Sequence, residues 1–399
     1  GATGTFTITS TTNGGAAIDT LASATGVTII PGVISVADVT PASLVAGASG
    51  AATATFTTAN PVPADGKFVV TFPANFDVTG ATVTAITGQT GAAGAYTINC
   101  AAQVCTVTRG AGAGIFTAGV TTVVFGVVKN PEVSGATGTF TITTTTTGDV
   151  TIDTLTTVPA VTITAGVITV ADVTPASLVA GASGAATATF TTANPVPADG
   201  KFVVTFPANF DVTGATVTAI TGQTGAAGAY TINCAAQVCT VTRGAGAGIF
   251  TAGVTTVVFG VVKNPAVSGA TGTFTITSTT NGGAAIDTLT TVPAVTITAG
   301  VISVADVTPA SLVAGASGAA TATFTTANPV PADGKFVITF PANFDVTGAT
   351  VTAITGQTGA AGAYTINCAA QVCTVTRGAG AGIFTAGVTT VVFGVVKNP

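Results

Sequence analysis

Apolar and polar residues alternate in short stretches, and the whole pattern recurs with a period of 134 residues. In the first full copy, residues 33–40, 51–58, 67–72, 81–87, 95–100, 105–109, 121–129, 138–146 and 160–164 read as strands. Within 67–72, Phe68, Val70 and Phe72 share one face while Lys67, Val69 and Thr71 share the other. That period of two marks a half-buried strand. Residues 138–146 likewise put Phe140 and Ile142 inward and Thr139, Thr141 and Thr143 outward. Residues 121–129 are apolar on both faces, as in a central or interface strand. Pro41, Pro73 and Pro131 end strands because proline cannot donate to a ladder. Asp65-Gly66 carries the signal of a two-residue hairpin turn, and residues 88–94 and 109–114 are rich in glycine. No stretch has a helical period, so the predicted fold class is all-β, a sandwich repeated in tandem.

The sequence GVISVADVTPASLV opens at Gly32 and returns, nearly unchanged, at Gly166 and Gly300. A period this long defines a row of domains, each large enough to bury its own core. The 21 phenylalanines divide into three sets of the type Phe56, Phe68, Phe72, Phe76, Phe116, Phe125 and Phe140. Two placements of the boundary are open. In the first, the repeats are 32–165, 166–299 and 300–399, the last lacking its final strands, and residues 1–31 are a partial repeat of closing strands. The chain is then either a window on a longer covalent array, or residues 1–31 act as a donor segment for the last unit of another molecule. In the second placement the domains are 1–131, 135–265 and 269–399, joined by three-residue linkers.

Composition narrows the setting. Hydrophobic residues make up 47% and charged residues 6% of the chain, against about 25% charged in ordinary soluble domains. The surface must therefore be built from Thr, Ser, Gly, Ala and Asn, which favours lateral packing or a coat. A net charge of −5 with no basic cluster argues against nucleic acid. Mean hydropathy is +0.71, but no apolar run approaches the length of a transmembrane helix. With no Trp and three Tyr, the aromatic girdles of a membrane barrel are missing. The absence of Met and of a leader is expected of a mature product or a segment of something longer.

Six cysteines fall two to a repeat: Cys100/Cys105, Cys234/Cys239 and Cys368/Cys373. In NCAAQVC the two cysteines sit on the apolar face of facing strands, so a local disulfide across the hairpin is expected. Zinc lacks ligands here, since the chain has no His. Disulfides place the protein outside the cell or on its surface.

At this point VTPASLVAGASGAATATFTTANPVPADGKFVVTFPANFDVTGA, followed by KNPxVSGATGTFTIT, resembles the Ig-like modules arrayed in tandem in large extracellular surface proteins, adhesins and filaments. The resemblance implies three tandem Ig-like β-sandwich repeats in a rod or fibre outside the cell. Its partners would be further copies of itself, head-to-tail and lateral. Many such modules lack cysteine, so the NCAAQVC hairpin departs from the pattern.

Candidate chemistry is sparse. Arg109 and the glycines after it lack the helix that a phosphate loop needs, so a plain turn is expected. Asp38, Asp65, Asp77 and Asp153 are the main acids of a unit; no Asp-x-Asp spacing occurs, so no cofactor is expected, with calcium between domains the one metal worth weighing. Lys67 reads as an outward surface lysine. Thr139, Thr141, Thr143, Thr144, Thr145, Thr146 and Thr147 read as solvent-facing and as candidate O-glycosylation sites, because no Asn-x-Ser/Thr sequon occurs. Threonine also suits a sheet surface for its β-propensity alone. Without His, the Ser-His-Asp and Cys-His triads are excluded, and no enzyme is expected.

Overall fold

The computed structural model describes residues 1–88, 96–110, 115–222, 230–244, 249–331, 333–356, 364–377 and 384–399, and these contain strands and turns without a helix. The first repeat has two main sheets and a small third one that pairs Gly135–Ala136 with Thr162–Ile163. One orders Ser35–Pro41, Ser49–Thr58, Gly119–Lys129 and Val83–Thr87 side by side. The other orders Gly32–Val33, Thr151–Val158, Phe140–Thr145, Lys67–Thr71, Val104–Arg109 and Tyr96–Ala101. All neighbours are antiparallel except Gly32–Val33, which runs parallel to Asp153–Thr154. The second repeat copies this order strand for strand. Each is a β-sandwich of the Ig-like kind that the sequence resembles.

The inward faces of the two sheets make one core per repeat. Phe72 anchors it, with its ring 5.6 Å from Phe76 and Phe125 and 5.7 Å from Phe140. Phe125 belongs to one sheet and Phe140 to the other, so this cluster ties the two layers together. Burying each ring contributes about 2–3 kcal/mol, and edge-to-face pairing adds to it.

Four expectations are corrected. Asp65-Gly66 does not make a hairpin: Ser49–Thr58 pairs in the first sheet and Lys67–Thr71 in the second. The turn instead carries the chain between layers, with the Gly66 N–H donating to Pro63 O at 2.9 Å. Gly119–Lys129 is a central strand, paired on both sides, yet only one face is buried. Val120 and Val127 lie on its outer side, exposed. Thr144 and Thr145 are buried rather than solvent-facing: Thr144 continues the inward series of Phe140 and Ile142, and Thr145 follows a register irregularity of the strand pair. Finally, Thr151–Val158 is a strand where none was expected. Its inward position 153 is an aspartate, which interrupts the apolar alternation. The glycine-rich stretch after Gly88 and most of the one after Arg109 lie outside the described residues.

The last repeat keeps the four-stranded sheet, but its second sheet has three strands, Lys335–Thr339, Val372–Arg377 and Tyr364–Ala369. At the other end of the chain, Phe6–Thr11 and Ala17–Ala24 form a two-stranded sheet of their own.

Each cysteine pair bridges directly opposite positions of one hairpin: Cys100–Cys105, Cys234–Cys239 and Cys368–Cys373. Cys105 is fully buried and Cys100 is partly buried against the same core. A loop this short constrains the unfolded chain little, worth about 2 kcal/mol. Replacing Cys234 and Cys239 by serine is therefore expected to lower the stability of the second repeat by about 2–3 kcal/mol once the buried thiol position is included. Denaturant titration of the variant checks this; a loss above twice that figure contradicts it.

Candidate junction site

The residues with the most specific polar partners lie where one repeat meets the next. The loop of residues 42–48 connects the first two strands of the four-stranded sheet. Asn130, just after the central strand, donates through Nδ2 to Ser43 O at 2.7 Å and Val45 O at 3.0 Å. The Ala46 N–H donates to Thr164 O at 2.8 Å, and the Gly47 N–H to Pro131 O at 2.9 Å. Thus pinned, the loop points the Ala46 carbonyl at the next repeat. Gly47 sits at φ +68°, the left-handed region that favours glycine.

The next repeat answers with Asn194, in the Asn-Pro break after Ser183–Thr192. Its Nδ2 donates to Ala46 O at 3.2 Å. The same Nδ2 donates to Asp287 Oδ1 at 2.7 Å, and the Asn194 N–H donates to Asp287 Oδ2 at 2.9 Å. Asp287 and Ser278 are fully buried, and the Asp287 N–H donates to Ser278 Oγ at 3.1 Å. A buried carboxylate is tolerated only when such donors converge on it. Asn60 and Asp153 repeat the arrangement in the first unit, at 2.6 and 2.9 Å. Asn328 repeats the forward contact, donating to Ala180 O at 2.9 Å. A second contact crosses the junction: Ser134 donates through N–H and Oγ to Ala285 O at 2.9 and 2.7 Å.

A Cβ on Gly47 would overlap Asn194 Oδ1, and one on Gly181 would overlap Asn328 Oδ1. The Gly47→Ala variant is therefore expected to open the junction while both cores stay folded. Hydrogen exchange checks it: residues 132–135, Ser134 above all, should exchange at least tenfold faster, with core strands unchanged. Unchanged exchange at 132–135 sinks the expectation.

The other acids have local partners. Asp38 accepts from Thr40 Oγ1, and Asp149 pairs with Lys67 Nζ at 2.6 Å, so Lys67 ties down the turn of the closing hairpin. Lys129, the last residue of its strand, pairs with Glu132 at 2.7 Å. Asp77 accepts the Thr79 N–H at 2.8 Å, and this bond, first among the causes, holds its carboxyl below the usual carboxylate range; Asp211 and Asp345 behave alike. A lowered folded-state pKa adds stability above the ordinary value near 3.8 and loses it as pH falls through the folded value. The chain has no His to titrate in the neutral range. Thermal stability is thus expected to be flat from about pH 5 to 8 and to fall only in acid. A step near neutrality in melting temperature against pH contradicts this.

The structure does not gather the sequence-predicted acids. Asp38, Asp65, Asp77 and Asp153 stand apart, and the described residues contain no group of three His, Cys, Asp or Glu side chains able to hold a metal. The Arg109 guanidinium lies over the Phe116 ring, 4.7 Å from its centroid, and is buried there rather than offered to a ligand. Two open clefts lie along residues 131–138 and 265–273, the first also lined by Asp77 and Lys129. No helix among them is long and apolar enough to cross a membrane. Of the candidate glycan sites, Thr139 and Thr147 are exposed. Thr141, Thr143 and Thr146 are half-covered, and Thr143 shares a hydrogen bond of 3.0 Å with Thr154. Thr144 accepts the Asp153 N–H at 3.1 Å in the interior, so the folded chain offers neither it nor Thr145.

Fold and junction together define a tandem array of β-sandwiches linked end to end by buried amide contacts. No protein-family model matches the chain, and no curated protein does. Among solved structures it is similar to the C-terminal domain of the Streptococcus agalactiae AgI/II polypeptide BspA, at 13% identity over 65% of this chain and 98% of that one, with a TM-score of 0.26. It is also similar to the C-terminal domain of the Streptococcus pyogenes antigen I/II-family protein AspA, at 11% over 72% and 97%, with a TM-score of 0.25. The Escherichia coli adhesin FdeC matches at 15% over 90% and 92%, with a TM-score of 0.22.

Proposed function

We propose that the chain is a structural segment of an extracellular filament, in which tandem β-sandwich units bear load along their length. The observation that supports this most is the junction Ala46–Asn194–Asp287, repeated as Ala180–Asn328. Each contact ties the loop of one unit to a side chain rooted in the next. A linkage of this kind has no use in catalysis and a plain one in stiffness. The disulfide hairpins fit an oxidising setting outside the cell. A surface with 6% charged residues fits lateral packing or a glycan coat. In that coat Thr139 and Thr147 would be the acceptors. The alternative reading is the stalk of a surface adhesin whose binding tip is carried elsewhere; the same junctions serve it.

Immunogold electron microscopy of the intact cells, with antibody raised against this chain, separates these readings. Label along ordered, packed fibres supports the filament. Label on single strings that end in a distinct head supports the stalk. Label confined to the cytoplasm sinks both.

A further inference from the structure

The first and second repeats differ at the turn of the closing hairpin, and the difference falls on a lysine. In the first repeat Lys67 Nζ pairs with Asp149 Oδ1 at 2.6 Å. Residues 146–149 there read Thr-Thr-Gly-Asp, and residues 280–283 of the second repeat read Thr-Asn-Gly-Gly. The turn itself is the same. The Asp149 N–H donates to Thr146 O at 3.1 Å, and the Gly283 N–H to Thr280 O at 3.0 Å. Asp149 at φ +63° and Gly283 at φ +89° are both left-handed. With glycine at 283, the turn offers Lys201 no carboxylate. The Lys201 Nζ donates instead to the main-chain carbonyl of Asn281 at 2.6 Å. Lys201 opens its strand directly opposite Thr279, so the register of the sheet brings the two together.

That carbonyl belongs to an Asn-Gly peptide bond. Asn281 and Gly282 are exposed, so water reaches both. The Gly282 N–H has no hydrogen bond among the described residues. Glycine also puts no Cβ between that nitrogen and the Asn281 amide. A main-chain nitrogen that follows an asparagine attacks the side-chain carbonyl once it has lost its proton. An ammonium held on the oxygen of the same peptide group draws electron density from the nitrogen and stabilises its anion, as positioned donors stabilise any developing charge. Lys201 occupies that place. Thr147, at the same position in the first repeat, has no amide and cannot react in this way.

We infer that Asn281-Gly282 is a site of self-modification, at which Lys201 promotes loss of the side-chain amide and receives the carboxylate that results. In the first step the Gly282 nitrogen gives up its proton and bonds to Asn281 Cγ. The side-chain nitrogen takes up a proton and leaves as ammonia, which closes a cyclic imide. In the second step water adds to the main-chain carbonyl carbon of residue 281, whose oxygen Lys201 holds. The bond from that carbon to the Gly282 nitrogen breaks, and the nitrogen, still joined to Cγ, takes up a proton. The freed main-chain carboxyl then ionises beside Lys201 Nζ. The product is an isoaspartyl residue whose carboxylate lies where the carbonyl oxygen lay. The second repeat thereby gains a lysine–carboxylate pair at the turn where the first has Lys67 and Asp149. The reaction also adds a negative charge to a chain in which charged residues make up 6%.

The test follows the full chain during incubation at neutral pH, by mass spectrometry of its tryptic peptides. Asn281 and the other Asn-Gly pair, Asn13-Gly14, fall in different peptides and are read apart. Residue 281 should gain the mass of an acid in place of an amide, and fragmentation that distinguishes the two isomers should show most of it as isoaspartate. The Lys201→Gln chain should convert about tenfold more slowly, the lower end for loss of a hydrogen bond from a charged donor. Its isoaspartyl share should fall to that of a synthetic peptide of residues 277–287. Lys201→Arg, which keeps a cation, should stay near the parent rate. Asn281 that keeps its amide while the synthetic peptide loses its own overturns the inference, and this comparison needs no variant to fold. A Lys201→Gln chain that converts at the parent rate, with the parent share of isoaspartate, overturns it too.

Discussion

Replacing Phe206 by alanine should destabilise the second repeat by about 3–5 kcal/mol, the cost of emptying a large aromatic site in a packed core. Phe206 is 2% exposed, and its ring meets Phe210 and Phe274 at 5.7 Å and Phe259 at 5.5 Å. Those partners come from the following loop, the closing hairpin and the opposite sheet, so one truncation loosens three elements at once. Hydrogen exchange reads it with an internal standard. Core amides of the second repeat should exchange about a hundred- to a thousand-fold faster, while those of the first, with Phe72 intact, keep their rate. Phe6→Ala in the monomer should leave both unchanged. Equal acceleration in both repeats would falsify the assignment of one independent core to each.

The second large effect is expected at Asp287. Truncation to alanine removes both acceptors of Asn194 and leaves a buried amide and N–H without them. Bonds to a charged acceptor contribute about 1.5–3 kcal/mol each, so the loss should reach about 3 kcal/mol or more. Asp287→Asn should recover little, because one of its two side-chain positions presents a donor to a donor. The loss should also spread backward: Asn194, no longer held, releases Ala46 of the preceding repeat. Faster exchange is therefore expected at residues 166–167 and 194 together, with slower recovery of the junction than of the core. An Asp287→Ala chain whose second repeat melts as before would show that the carboxylate is incidental.

Much of the fold was legible in the chain because one signal dominated. Alternation over 67–72, proline stops and the repeated phenylalanine set marked strands and cores that the sheets contain. What escaped was polar. Asp153 sits inward on a strand, and a sequence pattern reads an inward aspartate as a loop. Only its partner Asn60, which lies 93 positions away, makes the burial tolerable. Asn60 itself looked like a strand breaker beside Pro61, and its amide chemistry was hidden by that role. The Asp65-Gly66 turn misled for a related reason: turn residues state that the chain reverses, and the partner sheet is chosen by long-range packing. A usable signal did exist. Asn60 and Gly47 recur as Asn194 and Gly181 and as Asn328 and Gly315, and Asp153 recurs at the same spacing as Asp287, outside any apolar pattern.

We propose that each unit runs from Gly32 to Ala165 and is closed by its own hairpin. Single-molecule stretching of the monomeric chain tests this most directly. It should give two equal high-force ruptures, each releasing about 45 nm for a unit of 134 residues. Residues 1–31 and the open-edged last repeat should extend at low force. Three equal ruptures would contradict it, since they would place the boundaries near 131 and 265 and make the last repeat whole without a partner.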